Sequence, residues 1–131
     1  MVPNRRVFIG GSLAMAAVAG LPACGGTKEN TMYGLIGKFI AAEGKRDELI
    51  GYLLEGLTDM PGCLSYIVAS DPADANAIWI TEAWTDADSH KASLALPSVQ
   101  EAIRKARPII AGMESIAETQ PVGGHGLSSA D

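Results

Sequence analysis

The chain has 131 residues, 47% of them hydrophobic, and its 15 acidic and 10 basic side chains give a net charge of −5. That length suits one domain built around one hydrophobic core. The acidic balance argues against nucleic acid and against an anionic membrane surface as partners.

The first 23 residues have the composition of an export signal. Arg5 and Arg6 form a short basic region, and an uncharged apolar stretch rich in small residues follows them. These are the two physical parts of a secretory signal. The paired arginines before Val7-Phe8-Ile9 resemble the twin-arginine type of signal, which exports proteins already folded. The alternative is an uncleaved membrane helix, but residues 7–23 are short for a bilayer span.

Residues 24–31 are expected to form a tether with a lipid anchor. Leu21-Pro22-Ala23-Cys24 resembles a bacterial lipobox, in which the cysteine is acylated and becomes the new N-terminus. Cys24 is therefore the predicted lipidation site rather than an ordinary cysteine. We expect an exported protein that acyl chains hold at a membrane of the cell envelope, on the periplasmic side in a Gram-negative cell.

The exported part of the chain offers few groups for metal or cofactor chemistry. It keeps one cysteine, Cys63, which excludes an internal disulfide. One free cysteine and two histidines are too few for a protein-built zinc site. The sequence also contains no Cys-x-x-Cys pair, no phosphate-binding glycine loop and no dinucleotide fingerprint. We therefore expect no bound metal and no cofactor.

The chain after the tether consists of alternating strand and helix patterns. Apolar residues two apart predict strands, and apolar residues three and four apart predict helices. Clusters of glycine, proline and aspartate separate these segments. In chain order, the predicted elements are strand 31–41, helix 46–60, strand 63–70, strand 77–84, helix 87–94, a helix from Ser98 to Pro108 and strand 114–120.

Two local motifs refine this series. Residues 71–76 form a turn-rich cluster, so the strands on either side of it are expected to pair as an antiparallel hairpin. Ser98-Val99-Gln100-Glu101 has the form of a capping box, in which Ser98 would begin the helix and Glu101 would reach back to it.

The order β-α-β-β-α-β is that of the ferredoxin-like split βαβ fold, an α+β arrangement with the helices on one face of an antiparallel sheet. We assign this domain to residues 32–121 and a flexible tail to residues 122–131. Ile80 and Trp79 lie on opposite faces of the third strand, so both faces of the sheet need a cover. A second copy of the chain would cover the open face, and we expect a homodimer.

Five polar or aromatic residues are candidates for a site: Glu82, Trp84, His90, Ser93 and Arg104. Glu82 and Trp84 are two apart on a strand and point the same way. His90 follows on the next helix, and a histidine beside an aromatic ring in a partly apolar pocket can accept a proton from a phenol. From these residues alone the alternatives stay open, namely a core histidine, a core tryptophan and a surface ion pair of Arg104.

Four segments of this region occur in a distinctive order and spacing. They are Gly44-Lys45-Arg46-Asp47-Glu48-Leu49, Pro61-Gly62-Cys63-Leu64-Ser65-Tyr66, Ile80-Thr81-Glu82-Ala83-Trp84 and His90-Lys91-Ala92-Ser93. Together they resemble the antibiotic biosynthesis monooxygenase domain, over residues 32–120. The resemblance implies a dimeric α+β barrel. It also implies a family whose members include quinol monooxygenases that use O2 without metal or flavin, and others that degrade haem.

The resemblance points to a cofactor-independent monooxygenase that oxidises a quinol or polycyclic phenol with O2. Trp84 would line the substrate cavity, and His90 would take the phenol proton. Glu82, Ser93 and Arg104 would bind the substrate, with Arg104 or a backbone amide holding the oxyanion.

Two other functions stay open at this stage. One is a non-catalytic dimeric module that binds a small ligand at the membrane. The other is haem binding or degradation, with His90 or His125 as the ligand. His125 belongs to the glycine-flanked tail, which is either a disordered end or a segment that folds over a pocket.

Overall fold

The computed structural model describes residues 30–127, which contain four strands and three α-helices. The predicted signal, Cys24 and the tether up to residue 29 lie outside the described residues. The elements are β1 Tyr33–Ala41, α1 Arg46–Glu55, β2 Cys63–Ser70, β3 Ala77–Trp84, α2 Ala87–Ser93, α3 Pro97–Ala106 and β4 Ile110–Thr119. No helix in this part of the chain is long and apolar enough to cross a membrane.

The four strands form one antiparallel sheet in the order β2-β3-β1-β4. This confirms the ferredoxin-like fold, and the second connection contains two helices, as the predicted elements had it. The register pairs Tyr33 with Trp84 and Leu35 with Glu82 between the two central strands. Because side chains alternate along a strand, these four residues share one face of the sheet.

The hydrophobic core lies between this face and the helices. Its buried cluster consists of Ala41, Leu49, Ile78, Ile80 and Ala106. Leu49 is on α1 and Ala106 is on α3, so both helices cover the same side of the sheet. The opposite face carries the other half of each strand's side chains.

The turn between β2 and β3 forms as predicted. The carboxylates of Asp71 and Asp74 accept hydrogen bonds from the backbone N–H groups of Ala73 and Asn76, two residues further on. Such contacts are typical of aspartate turns. The Arg46 guanidinium donates to the carbonyl oxygens of Asp71 and Asp74, so the start of α1 is tied to this turn.

The end of α1 and the start of α3 differ from the prediction for identifiable reasons. Helix α1 ends at Glu55 instead of residue 60, and the N–H of Gly56 bonds to the carbonyl of Leu53. Glycine costs conformational entropy in a helix, which explains why the helix stops there. Helix α3 begins at Pro97 with Leu96 as its N-cap, and no side chain caps it, so the predicted capping box at Ser98 is wrong. Proline suits the first helical position because the N–H that it lacks would have no hydrogen-bond acceptor within the helix there.

Strand β4 begins at Ile110, four residues earlier than predicted. A short 3-10 turn at Arg107–Ile109, which contains Pro108, reverses the chain after α3. The strand can then pair with β1 from its first residue, and Ile110 lies opposite Ala41. Backbone pairing with a central strand therefore decides this boundary, although the Ala111-Gly112 sequence is a poor strand former by itself.

Candidate functional site

A cavity of about 770 Å³ lies between the sheet and the helices. This volume is within the range of sites that enclose small organic ligands. Most of its lining is apolar, from both layers, and includes Leu35, Phe39, Leu53, Leu57, Ile80 and Val99. The cavity therefore lies on the helix side of the sheet.

A polar group interrupts this apolar lining on β3. Glu82 shares the inner face of the strand with Ile80 and Trp84, and its side chain is only 12% exposed. The indole Nε1 of Trp84 donates a hydrogen bond of 2.9 Å to Glu82 Oε1. Burial raises the pKa of the Glu82 carboxyl above its usual value, while the Trp84 hydrogen bond and the nearby His90 oppose this rise.

His90 lies next to this carboxylate, on α2. The Asp86 side chain accepts a hydrogen bond from the N–H of Ser89 and so fixes the start of the helix. His90 Nε2 is then 3.7 Å from Glu82 Oε1, an ion-pair distance when the imidazole is protonated but too long for a hydrogen bond. Its ring meets the Trp84 ring edge-on, with 5.5 Å between centroids.

Tyr33 packs against another side of the His90 ring. Its ring centroid is 5.4 Å from that of His90, and its hydroxyl donates to Glu118 at 2.9 Å. Burial and this carboxylate raise the pKa of the Tyr33 phenol, which therefore stays neutral. His90 is thus held between two aromatic rings and a carboxylate, and these three contacts fix the orientation of its ring.

Of the two remaining predicted substrate-binding residues, Ser93 lies at the cavity and Arg104 lies on the surface. Ser93 is buried and lines the cavity, but its hydroxyl already donates to the His90 carbonyl at 2.6 Å. Arg104 has a side chain that is 69% exposed and pairs with Glu101 on the surface of α3. The structure therefore does not bring Arg104 to the other candidates. Arg107, three residues later, lines the cavity instead and is exposed at its rim.

Tyr66 on β2 is a cavity residue that the sequence reasoning missed. It lies directly opposite Glu82 in the hairpin register and forms no side-chain hydrogen bond within residues 30–127. Burial, with a smaller effect of Glu82, raises the pKa of its phenol. A neutral hydroxyl is therefore available at the cavity. Symmetric pairing across the 71–76 turn would place Ser65 opposite Glu82, and only the observed one-residue shift in register brings Tyr66 there.

The remaining candidates do not join this group. His125 lies after β4 and is exposed, away from the cavity lining. Cys63 is a free, half-buried cysteine whose thiol pKa is raised by burial, so it is a poor nucleophile. Within residues 30–127, no group of three or more His, Cys, Asp or Glu side chains is arranged to hold a metal ion.

Comparison with solved structures supports the fold and the family. A protein from Chloroflexus aurantiacus J-10-fl, assigned by inference as an antibiotic biosynthesis monooxygenase, is 61% identical with a TM-score of 0.72. The match covers 75% of this chain and 100% of that chain. A protein from Nitrosomonas europaea with the same inferred assignment is 11% identical with a TM-score of 0.66, over 73% of this chain and 95% of that one.

A third structure, protein PA3566 from Pseudomonas aeruginosa, is 18% identical with a TM-score of 0.65 and covers 74% and 100% of the two chains. At such identities the second and third likenesses show the fold alone. No curated protein matches the chain. The family model for antibiotic biosynthesis monooxygenase matches residues 32–105, which is more than half of the sequence. The chain therefore belongs to the antibiotic biosynthesis monooxygenase family.

Proposed function

We propose that the protein is a monooxygenase that oxidises a quinol or a related polycyclic phenol with O2, without a metal or flavin. The observation that carries this proposal is the contact of Glu82, Trp84 and His90 with one another inside a large, mostly apolar cavity. An aromatic ligand fits the apolar walls, and the imidazole is the group that can take its hydroxyl proton. The family to which the chain belongs is consistent with this chemistry.

In the proposed reaction the quinol supplies all four electrons that O2 needs. His90 accepts the hydroxyl proton, and the phenolate transfers one electron to O2, giving a semiquinone radical and superoxide. These radicals join through a new C–O bond at a ring carbon. Loss of water then breaks the O–O bond, so one oxygen atom stays in a hydroxyquinone and the other leaves as water.

The protein's own groups have distinct tasks in this scheme. Trp84 would form an aromatic wall for the ring and keep the Glu82 carboxylate in place through its indole N–H. Glu82 would stabilise the imidazolium, because an opposite charge at 3.7 Å in a partly desolvated site is strongly attractive. The Tyr66 hydroxyl is available to donate to the substrate oxygen.

Oxygen uptake tests the proposal. Anaerobically reduced naphthoquinols of different substitution are added to air-saturated protein, with buffer alone measuring the spontaneous oxidation. We expect uptake well above that background for at least one quinol, with one O2 consumed per hydroxyquinone formed. Uptake equal to the background for the whole panel would contradict the proposal.

A second candidate is a module that binds the same ligands without turnover. The observation that favours it is the composition of the cavity, whose walls are apolar and whose mouth exposes Met113 and Leu94. Apolar walls suit binding whether or not a reaction follows. Calorimetric binding of an oxidised naphthoquinone, together with background oxygen uptake by the matching quinol, would assign the protein to this class.

We further propose that two copies form a homodimer through the sheet face opposite the helices. This face carries Ile36, Ile40, Ile67 and Trp79, and Ile67 is 55% exposed. Burial of such a surface stabilises an association. Analytical ultracentrifugation should find a dimer, and Ile67→Glu should shift it toward monomer. A monomeric parent protein at micromolar concentration would contradict the dimer.

Export and lipid anchoring are a separate proposal, which rests on residues 1–24 of the sequence. An acylated Cys24 would hold the domain beside the bilayer, where apolar quinols dissolve. Fractionation of bacterial cells that express the full chain tests it. We expect the protein in the membrane fraction, and Cys24→Ser should release it. Equal distribution of both forms would contradict lipidation at this cysteine.

A further inference from the structure

Gly37 leaves a gap in the floor of the cavity. It lies in the middle of β1, on the same face as Leu35 and Phe39, and pairs with Ile80 on one side and Ser115 on the other. A Cβ atom built at Gly37 would have one neighbour within 4 Å, the Glu114 carbonyl oxygen at 3.3 Å. The space above this position is therefore open and belongs to the cavity.

The backbone itself does not demand a glycine at this position. Within residues 30–127, the glycines with positive φ are Gly44, Gly62 and Gly126, so Gly37 does not have the φ that favours glycine. A glycine inside a strand destabilises the fold relative to alanine. The register of β1 with β4 is irregular at Ile36/Gly37, and a side chain at Gly37 requires the Glu114 carbonyl, 3.3 Å from the added Cβ, to move slightly. The open space is the feature that a side chain would remove.

The gap connects the polar group to solvent. Glu82 lies on β3, Gly37 lies on β1, and β4 is the edge strand beyond it. Glu82 pairs with Leu35 and Met113 pairs with Phe39, so the path runs diagonally across β1 with Gly37 at its middle. At the usual spacings between strands and along a strand, this path is about 17 Å long. At its far end Met113 is 66% exposed and lines the cavity. The side chains of Leu35 and Phe39 flank the path on β1, and Gly37 between them has no side chain that would close it.

We propose that Gly37 determines the specificity of this site, and that the ligand is a quinol with an apolar chain that crosses β1 above Gly37 and leaves beside Met113. The inference rests on the proposed function for the position of the ring, next to Glu82 and His90. A chain on the ring would displace water from an apolar path, and the burial of its methylene groups would strengthen binding. The exposed apolar side chain at the mouth fits the same ligand.

Calorimetric titration with oxidised quinones tests this path without any need for turnover. The probes are 2-methyl-1,4-naphthoquinone and 2-decyl-1,4-naphthoquinone, whose quinols both keep a hydrogen at C3, where the new C–O bond would form. The variants are Gly37→Val and the matched control Gly112→Val. Gly112 is also a strand glycine, but its added Cβ would touch only Ile40 at 3.7 Å, on the other face of the sheet.

We expect the parent protein to bind the decyl compound at least tenfold more tightly than the methyl compound. Gly37→Val should weaken decyl binding at least tenfold and methyl binding less than twofold, and Gly112→Val should change neither. Equal affinity of the parent for both probes, or equal weakening of both by Gly37→Val, would overturn the inference. If circular dichroism shows that Gly37→Val is unfolded, Gly37→Ala should give the same selective loss with a smaller size, about threefold.

Oxygen uptake separates this inference from the proposed function. Selective binding of the decyl quinone without oxygen uptake by its quinol would support the path across Gly37 and overturn the monooxygenase. Oxygen uptake with the methyl quinol, but no preference for the chain, would support the monooxygenase and overturn the path.

Discussion

His90 Nε2 lies 3.7 Å from Glu82 Oε1, and the two side chains are only 21% and 12% exposed. A proton on the imidazole would therefore sit beside a carboxylate in surroundings of low polarity, where their attraction is much stronger than in water. The Trp84 indole holds the same carboxylate oxygen at 2.9 Å. This arrangement would stabilise the charge that forms when His90 takes a proton from a phenol.

Replacement of His90 by alanine should lower the rate of quinol oxygenation at least tenfold, which corresponds to about 1.4 kcal/mol of activation free energy. The reason is the loss of the group that accepts the hydroxyl proton. Initial oxygen-uptake rates measure the effect, and circular dichroism checks the fold. Lys91→Ala, at the exposed neighbouring position on α2, is the control and should keep the parent rate. Full activity of His90→Ala would show that another group is the base.

Replacement of Glu82 by glutamine should stabilise the protein at neutral pH. Burial raises the pKa of this carboxyl in the folded chain, so the folded state binds the proton more tightly than the unfolded state does. Ionisation of Glu82 therefore lowers the free energy of unfolding as the pH rises through the folded-state pKa. Glutamine stays neutral and can still accept the Trp84 hydrogen bond.

The stability difference between Glu82→Gln and the parent should be present at pH 7 and vanish below about pH 4, where the carboxyl is protonated in both states. Urea unfolding at several pH values measures it. Glu43→Gln, which removes the same charge from an exposed position, is the control. A Glu82→Gln protein that is less stable than its parent at pH 7 would be the opposite of our expectation.

Replacement of Trp84 by phenylalanine should lower the free energy of unfolding by about 2–3 kcal/mol. Trp84 is 1% exposed, and its loss leaves both a small void and a buried carboxylate without its donor. Trp79→Phe is the matched change on the same strand. Trp79 donates to Asp71 at the half-exposed side of the sheet, so the loss there should be smaller. Equal losses measured by urea unfolding would contradict the distinct role of Trp84.

Replacement of Gly62 by alanine should disturb both stability and the position of His90. Gly62 has a φ of +83°, and an added Cβ would be 2.5 Å from Ser89 Oγ on α2. Gly44 has a similar φ of +78° but nothing within 4 Å of its added Cβ. Gly44→Ala should therefore cost only the backbone strain, about 1 kcal/mol, while Gly62→Ala should cost about 2 kcal/mol or more.

The same pair of variants should differ in activity, because only Gly62 contacts the helix that carries His90. Oxygen uptake should fall with Gly62→Ala and stay at the parent rate with Gly44→Ala. Calorimetric unfolding gives the two stabilities. A Gly62→Ala protein with parent activity and parent stability would mean that α2 can shift without cost.

Much of the fold was predictable because local patterns and tertiary structure agree. Strands 63–70 and 77–84 were predicted with the observed bounds, since alternating apolar residues and an aspartate-rich turn both define them. The start of β4 was not predictable, because pairing with β1 rather than local sequence determines it. The start of α3 was misread because Pro97 fits the first helical position better than Ser98 fits the cap.

The candidate site was predictable only in part. Glu82 and Trp84 are two apart on β3 and so point the same way, and the short turn to α2 brings His90 next to them. The sequence indicated this grouping. Arg104 points away from the cavity because the buried side of α3 is defined by Ala102 and Ala106. Tyr66 was missed because its place beside Glu82 depends on cross-strand register, which a reading of single elements does not consider.

The most direct test of the central claim is oxygenation of a naphthoquinol under 18O2, followed by mass spectrometry of the product. We predict a hydroxyquinone that carries one 18O atom, with the second 18O atom recovered in water and no hydrogen peroxide. Formation of unlabelled quinone together with labelled hydrogen peroxide would contradict a monooxygenase, because both oxygen atoms would then have left without a new C–O bond.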